Sequence, residues 1–132
     1  MKLAKAAHLA LGRFGENAAC RLLEAKKFDI LARNWRVKAG ELDIVARDGA
    51  CVVFVEVKTL HREGRFRPLD NLSFRQMKRN FNAAQLYLRM IGGSDLPIRF
   101  DLIEVVASRW RLRKIRHHYD YLPRQSWKRI SK

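Results

Sequence analysis

Acidic residues are the scarce commodity in this 132-residue chain, with 13 Asp and Glu against 28 Lys and Arg and a formal charge of +15. That deficit argues against a surface built to gather cations or basic partners. It favours polyanions, among which phosphate backbones are the commonest. The plainer alternatives are a basic protein that is merely soluble, or a subunit that docks an acidic surface. Cysteine is rarer still: Cys20 and Cys51, the two present, are far apart and lack metal-ligand spacing. Neither a disulfide framework nor a zinc site is indicated. No segment is long and apolar enough to span a membrane, and the N-terminal MKLAKAAHLALG reads on into a longer helix. A reducing cytoplasm and no membrane partner are expected.

What is abundant is apolar: 48% of the residues are hydrophobic, enough for one core, and the length fits a single domain over 1–132. Leu3 to Lys27 reads as a helix, with stripes through Leu11, Ala18 and Leu22 and through Leu9, Gly12, Ala19, Cys20 and Leu23. Glu16 falls on the second stripe. A carboxylate there needs a partner if it is buried, and otherwise snorkels to solvent. Phe28 to Val37 reads as a strand, as does Glu41 to Arg47, which meets Asp48-Gly49, a two-residue hairpin signal. Cys51 to Thr59 (CVVFVEVKT) is a central strand, followed by a basic loop from His61 to Pro68. Asp70 or Ser73 caps a helix to about Met90, stopped by Gly92-Gly93. Pro97 to Ala107 and Arg111 to Leu122 complete the strands. Helix, three strands, helix and further strands give a mixed sheet flanked by helices, α/β or α+β.

Charge is unevenly placed. From Arg109 to Lys132 there are nine basic residues and one acid, Asp120, forming a basic last strand and tail. Trp110, Tyr119, Tyr121 and Trp127 are interleaved; aromatic faces can stack on bases, though core packing is the better reading for each alone. His117 and His118, being adjacent, point to opposite faces of a strand.

The hairpin concentrates the few acids. With Asp48-Gly49 as the turn, Arg47 faces Ala50, Asp43 lies opposite Phe54, and Glu41 lies opposite Glu56. Side chains repeat every two residues along a strand, so Glu41, Asp43, Glu56 and Lys58 share one face. Like charges opposed on paired strands are destabilising. Lys58 offsets part of the repulsion, and a divalent cation would offset the rest. Carboxylates, a backbone carbonyl and water suit Mg²⁺ or Mn²⁺. Such an ion would lower the pKa of a bound water and screen a scissile phosphate, while Lys58 orients the water or meets developing negative charge. An E-x-K triplet alone is an ordinary solvated pair; on an apolar central strand, with an acid across a tight hairpin, it is far more specific.

Five elements occur in order: GENAA at Gly15 to Ala19, NWR at Asn34 to Arg36, GELDIV at Gly40 to Val45, VFVEVKT at Val53 to Thr59, and RFDLIEV at Arg99 to Val105. Together they resemble the bacterial YraN-like family of predicted endonucleases, within the PD-(D/E)xK restriction-endonuclease-like superfamily. The resemblance covers about Leu11 to Val106. It implies an α/β fold with a restriction-endonuclease-like mixed central sheet, similar to Holliday-junction resolvases, and a metal-dependent nuclease acting on DNA, branched or processed structures included. By motif position it implies metal-binding roles for Asp43, Glu56 and the Val57 backbone carbonyl, a catalytic role for Lys58, and a supporting role at the metal for Glu16. Glu41 is either an auxiliary ligand or an acid that shapes the site. Junction-cutting relatives need two active sites, which implies a homodimer. Where a strict superfamily pattern has Pro before the Asp, this chain has Leu42; Gln76 stands where Lys is expected among relatives.

Arg62, Arg65 and Arg67 in the loop, with Arg75, Gln76, Lys78 and Arg79 on the next helix, are candidates for flanking phosphates. Two other readings stand beside the nuclease. One is a nucleic-acid-binding module with a vestigial or partner-dependent site; the other is a structural subunit docked through the basic C-terminal segment.

Overall fold

A computed structural model describes residues 2–61 and 73–131, with side chains for 5–61 and 73–130. Helix α1 (Lys2–Ala25) leads into strands β1 (Asp29–Val37), β2 (Gly40–Asp48) and β3 (Cys51–Leu60). Helix α2 (Phe74–Ile91), strands β4 (Ile98–Ser108) and β5 (Arg111–His118), and a short helix α3 (Trp127–Ser131) follow. The sheet runs β1-β2-β3-β4-β5. β3 and β4 are parallel and every other neighbouring pair is antiparallel. The parallel pair requires a crossover, and α2 supplies it. This is the mixed, helix-flanked α/β sheet that the resemblance implies. No described helix is long and apolar enough to cross a membrane.

The two faces of the sheet carry separate cores. Ala18, Ala19, Cys20 and Leu23 of α1 pack on Ile44, Ala46, Val53, Val55, Ile103 and Val105. Phe81, Ala84, Tyr87 and Leu88 of α2 pack on Val45, Val52, Phe54 and Phe100, with Ile130 of α3 closing that layer. The alternation along β3 sorts its side chains between the two. The outer part of α1 lies beyond the sheet, and Leu9 is 52% exposed despite sitting on an apolar stripe. Helix ends follow local chemistry. Ser73 Oγ accepts from the Gln76 N–H at 3.0 Å, and Gly92 closes α2 at φ 68°, where a left-handed residue frees its N–H for the last carbonyls. The alternative cap, Asp70, lies outside the described residues, as do Arg62, Arg65 and Arg67.

Two expectations need correction. The β2–β3 register pairs Ile44 with Val55 and Asp48 with Cys51, so the turn is Gly49-Ala50 and not Asp48-Gly49. Gly49, with φ 62°, takes the first loop position, which a residue without Cβ occupies freely. The slip is two residues, so strand parity is kept along the paired part of the ladder, from Ile44 to Asp48. Asp43 therefore comes level with Glu56 instead of Phe54, and Glu41 with Lys58 instead of Glu56. The last strand stops at His118, short of Leu122; Asp120 turns the chain at φ 52° and α3 follows.

The sheet also bends at the point that matters. Leu42 packs on the α2 side and Ile44 on the α1 side, although they are two residues apart. On β1 the matching change falls between Ala32 and Trp35 on one side and Arg33 on the other, around Asn34, whose φ of 51° Asn tolerates better than most residues. Asp43 sits at this bend, immediately beyond the last β2–β3 ladder pair.

Candidate active site

Three elements bring carboxylates to the end of the β2–β3 ladder. β3 contributes Glu56, 7% exposed and on the α2 side of the sheet. Its Oε1 accepts from Gln76 Nε2 at 2.6 Å and lies 3.3 Å from Lys58 Nζ; its Oε2 accepts from Asn80 Nδ2 at 2.9 Å. Gln76 and Asn80 are one turn apart on α2 and so present neighbouring amides to the same acid. Gln76 Oε1 in turn accepts from Lys58 Nζ at 2.9 Å, fixing the lysine beside the carboxylate.

Asp43 enters from β2 where the ladder ends. Its Oδ2 accepts from the Val57 N–H at 2.8 Å, so a side chain takes the place of a ladder carbonyl and the strands fork around it. Burial pushes the Asp43 carboxyl up to about 8, the neighbouring Glu56 pushes the same way, and the Val57 N–H opposes both. Glu16 and Glu41 add smaller upward pushes. Glu56 is also raised, chiefly by burial, with Lys58 and Asn80 pulling it down. Glu56 is thus buried and Asp43 half-buried, and both carboxyls are biased toward protonation.

Glu16 arrives from the other side on α1. It is 7% exposed, and its Oε1 accepts from Arg33 Nε at 2.9 Å and Asn34 Nδ2 at 3.0 Å. Gly15 makes that approach feasible: a Cβ there would fall 1.8 Å from Thr59 Oγ1, so the helix backbone lies directly on β3. A groove lined by His8, Arg13, Glu16, Arg36, Asp43 and Lys58 opens onto this region.

The residues expected at a site divide clearly. Asp43, Glu56, Lys58 and Gln76 converge, with the Val57 backbone at the fork and Glu16 at the groove wall. Glu41 stands apart, with its side chain 54% exposed and paired with Arg36 at 3.4 Å; it reaches Asp43 only through its charge. Arg75 and Arg79 are exposed on α2 and Lys78 is half-buried. Among the described residues, no three His, Cys, Asp or Glu side chains form a metal-ligand cluster.

Asn80 and Tyr121 belong to the site but carry no sequence motif. Asn80 is 5% exposed and hydrogen-bonds Tyr121, whose phenol is raised by burial and by Glu56. The signal for Asn80 was its position four residues after Gln76, on an otherwise apolar helix face. Asp101, the first of the two acids in RFDLIEV, has partners other than these carboxylates. Fully buried, it accepts from Arg99 Nε at 2.8 Å and Nη2 at 3.0 Å and from the Asp120 N–H at 2.9 Å, with His117 Nε2 at 2.8 Å. Those bonds, His117's first, hold its carboxyl below the usual range against the opposing effect of burial.

Comparison with known proteins places the chain. The model of "Uncharacterised protein family UPF0102" matches residues 15–105, the span that holds Glu16, Asp43, Glu56, Lys58 and Asp101. A UPF0102 protein of Oleidesulfovibrio alaskensis is 45% identical over 101 residues, 76% of this chain, which spans only half of that longer relative. A relative from Symbiobacterium thermophilum is 40% identical over 72% of this chain and 80% of its own length. One from Streptomyces griseus is 42% identical over 76% and 85%. With the family model covering Gly15 to Val105 and the motifs that resembled YraN-like proteins falling inside it, this chain belongs to UPF0102, the YraN family.

Proposed function

We propose that the chain is a divalent-metal-dependent nuclease that hydrolyses phosphodiester bonds of DNA, branched or processed structures included. One observation carries the reading: half-buried Asp43 and buried Glu56, two adjacent carboxyls each raised chiefly by burial, stand at a strand fork beside Lys58. Adjacent buried acids cost free energy unless a proton or a cation joins them. An all-oxygen donor set with few protein ligands suits Mg²⁺ or Mn²⁺, which retain water and bind through one or two carboxylates plus phosphate oxygens. Asp43 and Glu56 would hold the ion, with the Val57 carbonyl and Glu16 in support. When bound it would neutralise charge at the phosphate and make a water more acidic.

The chain's own residues have distinct tasks. Gln76 and Asn80 fix the Glu56 carboxylate from two sides, while Arg33 and Asn34 fix Glu16. Lys58, held by Gln76 and Glu56, places a positive charge where negative charge grows on the phosphate. Arg75, Lys78 and Arg79, with Arg62, Arg65 and Arg67 of the preceding basic segment, take flanking phosphates. The choice of DNA and a homodimer that offers two sites rest on the resemblance, and a cytoplasmic setting fits the free thiols Cys20 and Cys51.

Asp43→Ala and Glu56→Ala are each expected to abolish Mn²⁺-dependent cleavage while DNA binding persists, measured on linear, flapped and four-way substrates. A second reading, a binding module that does not cut, is favoured by the occupied state of the acids: Val57, Gln76, Asn80 and Lys58 already engage them. Wild-type protein that binds DNA in a salt-dependent way, yet cuts no member of the panel with Mg²⁺ or Mn²⁺, selects that reading.

A further inference from the structure

The β4–β5 hairpin carries features that the carboxylate site does not use. Its two loop residues, Arg109 and Trp110, have φ of 53° and 61°. A two-residue loop with both positions left-handed is the type I′ arrangement, which ordinarily takes Asn-Gly or Gly-Gly because a Cβ is unfavourable there. Arg and Trp are held in it against backbone preference, and strain of this kind collects where a particular side chain is needed. Trp110 is 55% exposed, and an edge-on contact with Phe14 (centroids 6.0 Å apart, planes at 70°) braces the indole without covering it.

The location connects this ring to the site. β3 and β4 are parallel with Lys58 level with Glu104, so the β4–β5 tip lies beyond the same end of the sheet. Phe14 adjoins Gly15, which packs on Thr59, the residue after Lys58. Counting from Thr59 through Gly15 and the Phe14 side chain, the indole lies within roughly 15 Å of Thr59. The strand leading away from the tip is basic, with Arg111, Arg113, Lys114 and Arg116 all exposed.

We propose that Trp110 is a stacking platform for an unpaired DNA base, so that the strand leaving the carboxylate site crosses the β4–β5 tip single-stranded. The inference rests on the nuclease reading and specifies its substrate. Phosphates alone call for Arg and Lys, which the hairpin already has; an exposed indole offers a π-face, which an unpaired base can meet in full, whereas bases within a duplex are already stacked on their neighbours. The same patch, Trp110 with exposed Leu112, could instead meet a second copy of the chain, but that would oppose two basic strands.

The test compares wild type, Trp110→Gly and Trp110→Phe for binding of a short labelled single-stranded DNA, its duplex form, and inorganic polyphosphate. All are measured at one salt concentration with EDTA present, so that nothing is cut. Glycine suits the left-handed loop position, so the hairpin is retained. Trp110→Gly is expected to lose about tenfold in single-strand affinity, with duplex and polyphosphate within about twofold and Trp110→Phe intermediate. An equal loss on all three ligands, no loss on any, or a wild-type dimer that Trp110→Gly dissociates would overturn the inference and leave the nuclease reading standing. Wild-type protein that binds none of the three would overturn both.

Discussion

Asp43 makes a prediction that needs no substrate. Its carboxyl is raised from 3.8 to about 8, with burial first among the causes and Glu56 second. Below about pH 4 the folded and unfolded chains are both protonated at this residue, and it costs nothing. As pH rises toward 8 the unfolded chain gives up the proton while the folded chain keeps it, so metal-free stability falls; above 8 the loss is complete. Asp43→Asn removes the titration, and its amide oxygen can still accept from Val57. In EDTA the variant should exceed wild type by on the order of 2 kcal/mol or more in urea unfolding at pH 8, with the gap closing near pH 4. Mn²⁺ should then raise the stability of wild type and leave the variant unmoved. A variant less stable than wild type at pH 8 would show that Asp43 is satisfied by its present partners. Asp43, Glu56 and Lys58 were legible because strand parity survives a two-residue slip in register. Asn80 was not, because an amide on an apolar helix face reads the same whether it serves an active acid or caps a core.

At the scale of elements, the seating of α1 on β3 delivers Glu16 to the groove, and it depends on Gly15. A Cβ at that position would fall 1.8 Å from Thr59 Oγ1 and 2.8 Å from Thr59 Cβ and Cγ2. Gly15→Ala should push the helix off the strand at a cost of about 1–3 kcal/mol, despite the better helix propensity of Ala. The loss reads as a fall in Tm. Adding Thr59→Ala should recover part of it, because the Oγ1 clash goes while the Cβ contact stays. No fall in the single variant, or no recovery in the double, would mean that the helix seats some other way. The elements themselves followed from pattern: β3 from its β-branched run, α2 from Ser73 and Gly92. What pattern missed was α3, five residues being too short for periodicity, and the turn, because Asp48-Gly49 and Gly49-Ala50 offer two-residue loops of the same parity. Glu41 looked central for a related reason: face sharing was readable, whereas the end of the ladder at Ile44 and Val55, which leaves Glu41 to solvent, was not.

For the whole molecule, the sequence gives a charge of +15 without saying where the charge is useful. The structure puts part of it on an edge. Among the described residues, β5 has a neighbour only on the β4 side, and Arg111, Arg113 and Arg116 are exposed along it. Exposed cations also guard an open strand edge against pairing with other chains, so their presence alone does not establish a binding face. Salt dependence separates the two roles. Each phosphate neutralised releases condensed counterions, and the logarithm of the binding constant falls with the logarithm of salt in proportion to their number. Replacing Arg111, Arg113 and Arg116 together with Gln should make that slope shallower by about 2 to 3 for duplex DNA if all three meet phosphates. Folding should change little, since exposed substitutions of this kind usually stay within about 0.5 kcal/mol each. An unchanged slope with unchanged affinity assigns these residues to edge protection and moves the phosphate track to the groove beside Arg13 and Arg36. A triple variant that aggregates while its DNA affinity holds would identify the charge as a guard of the strand edge.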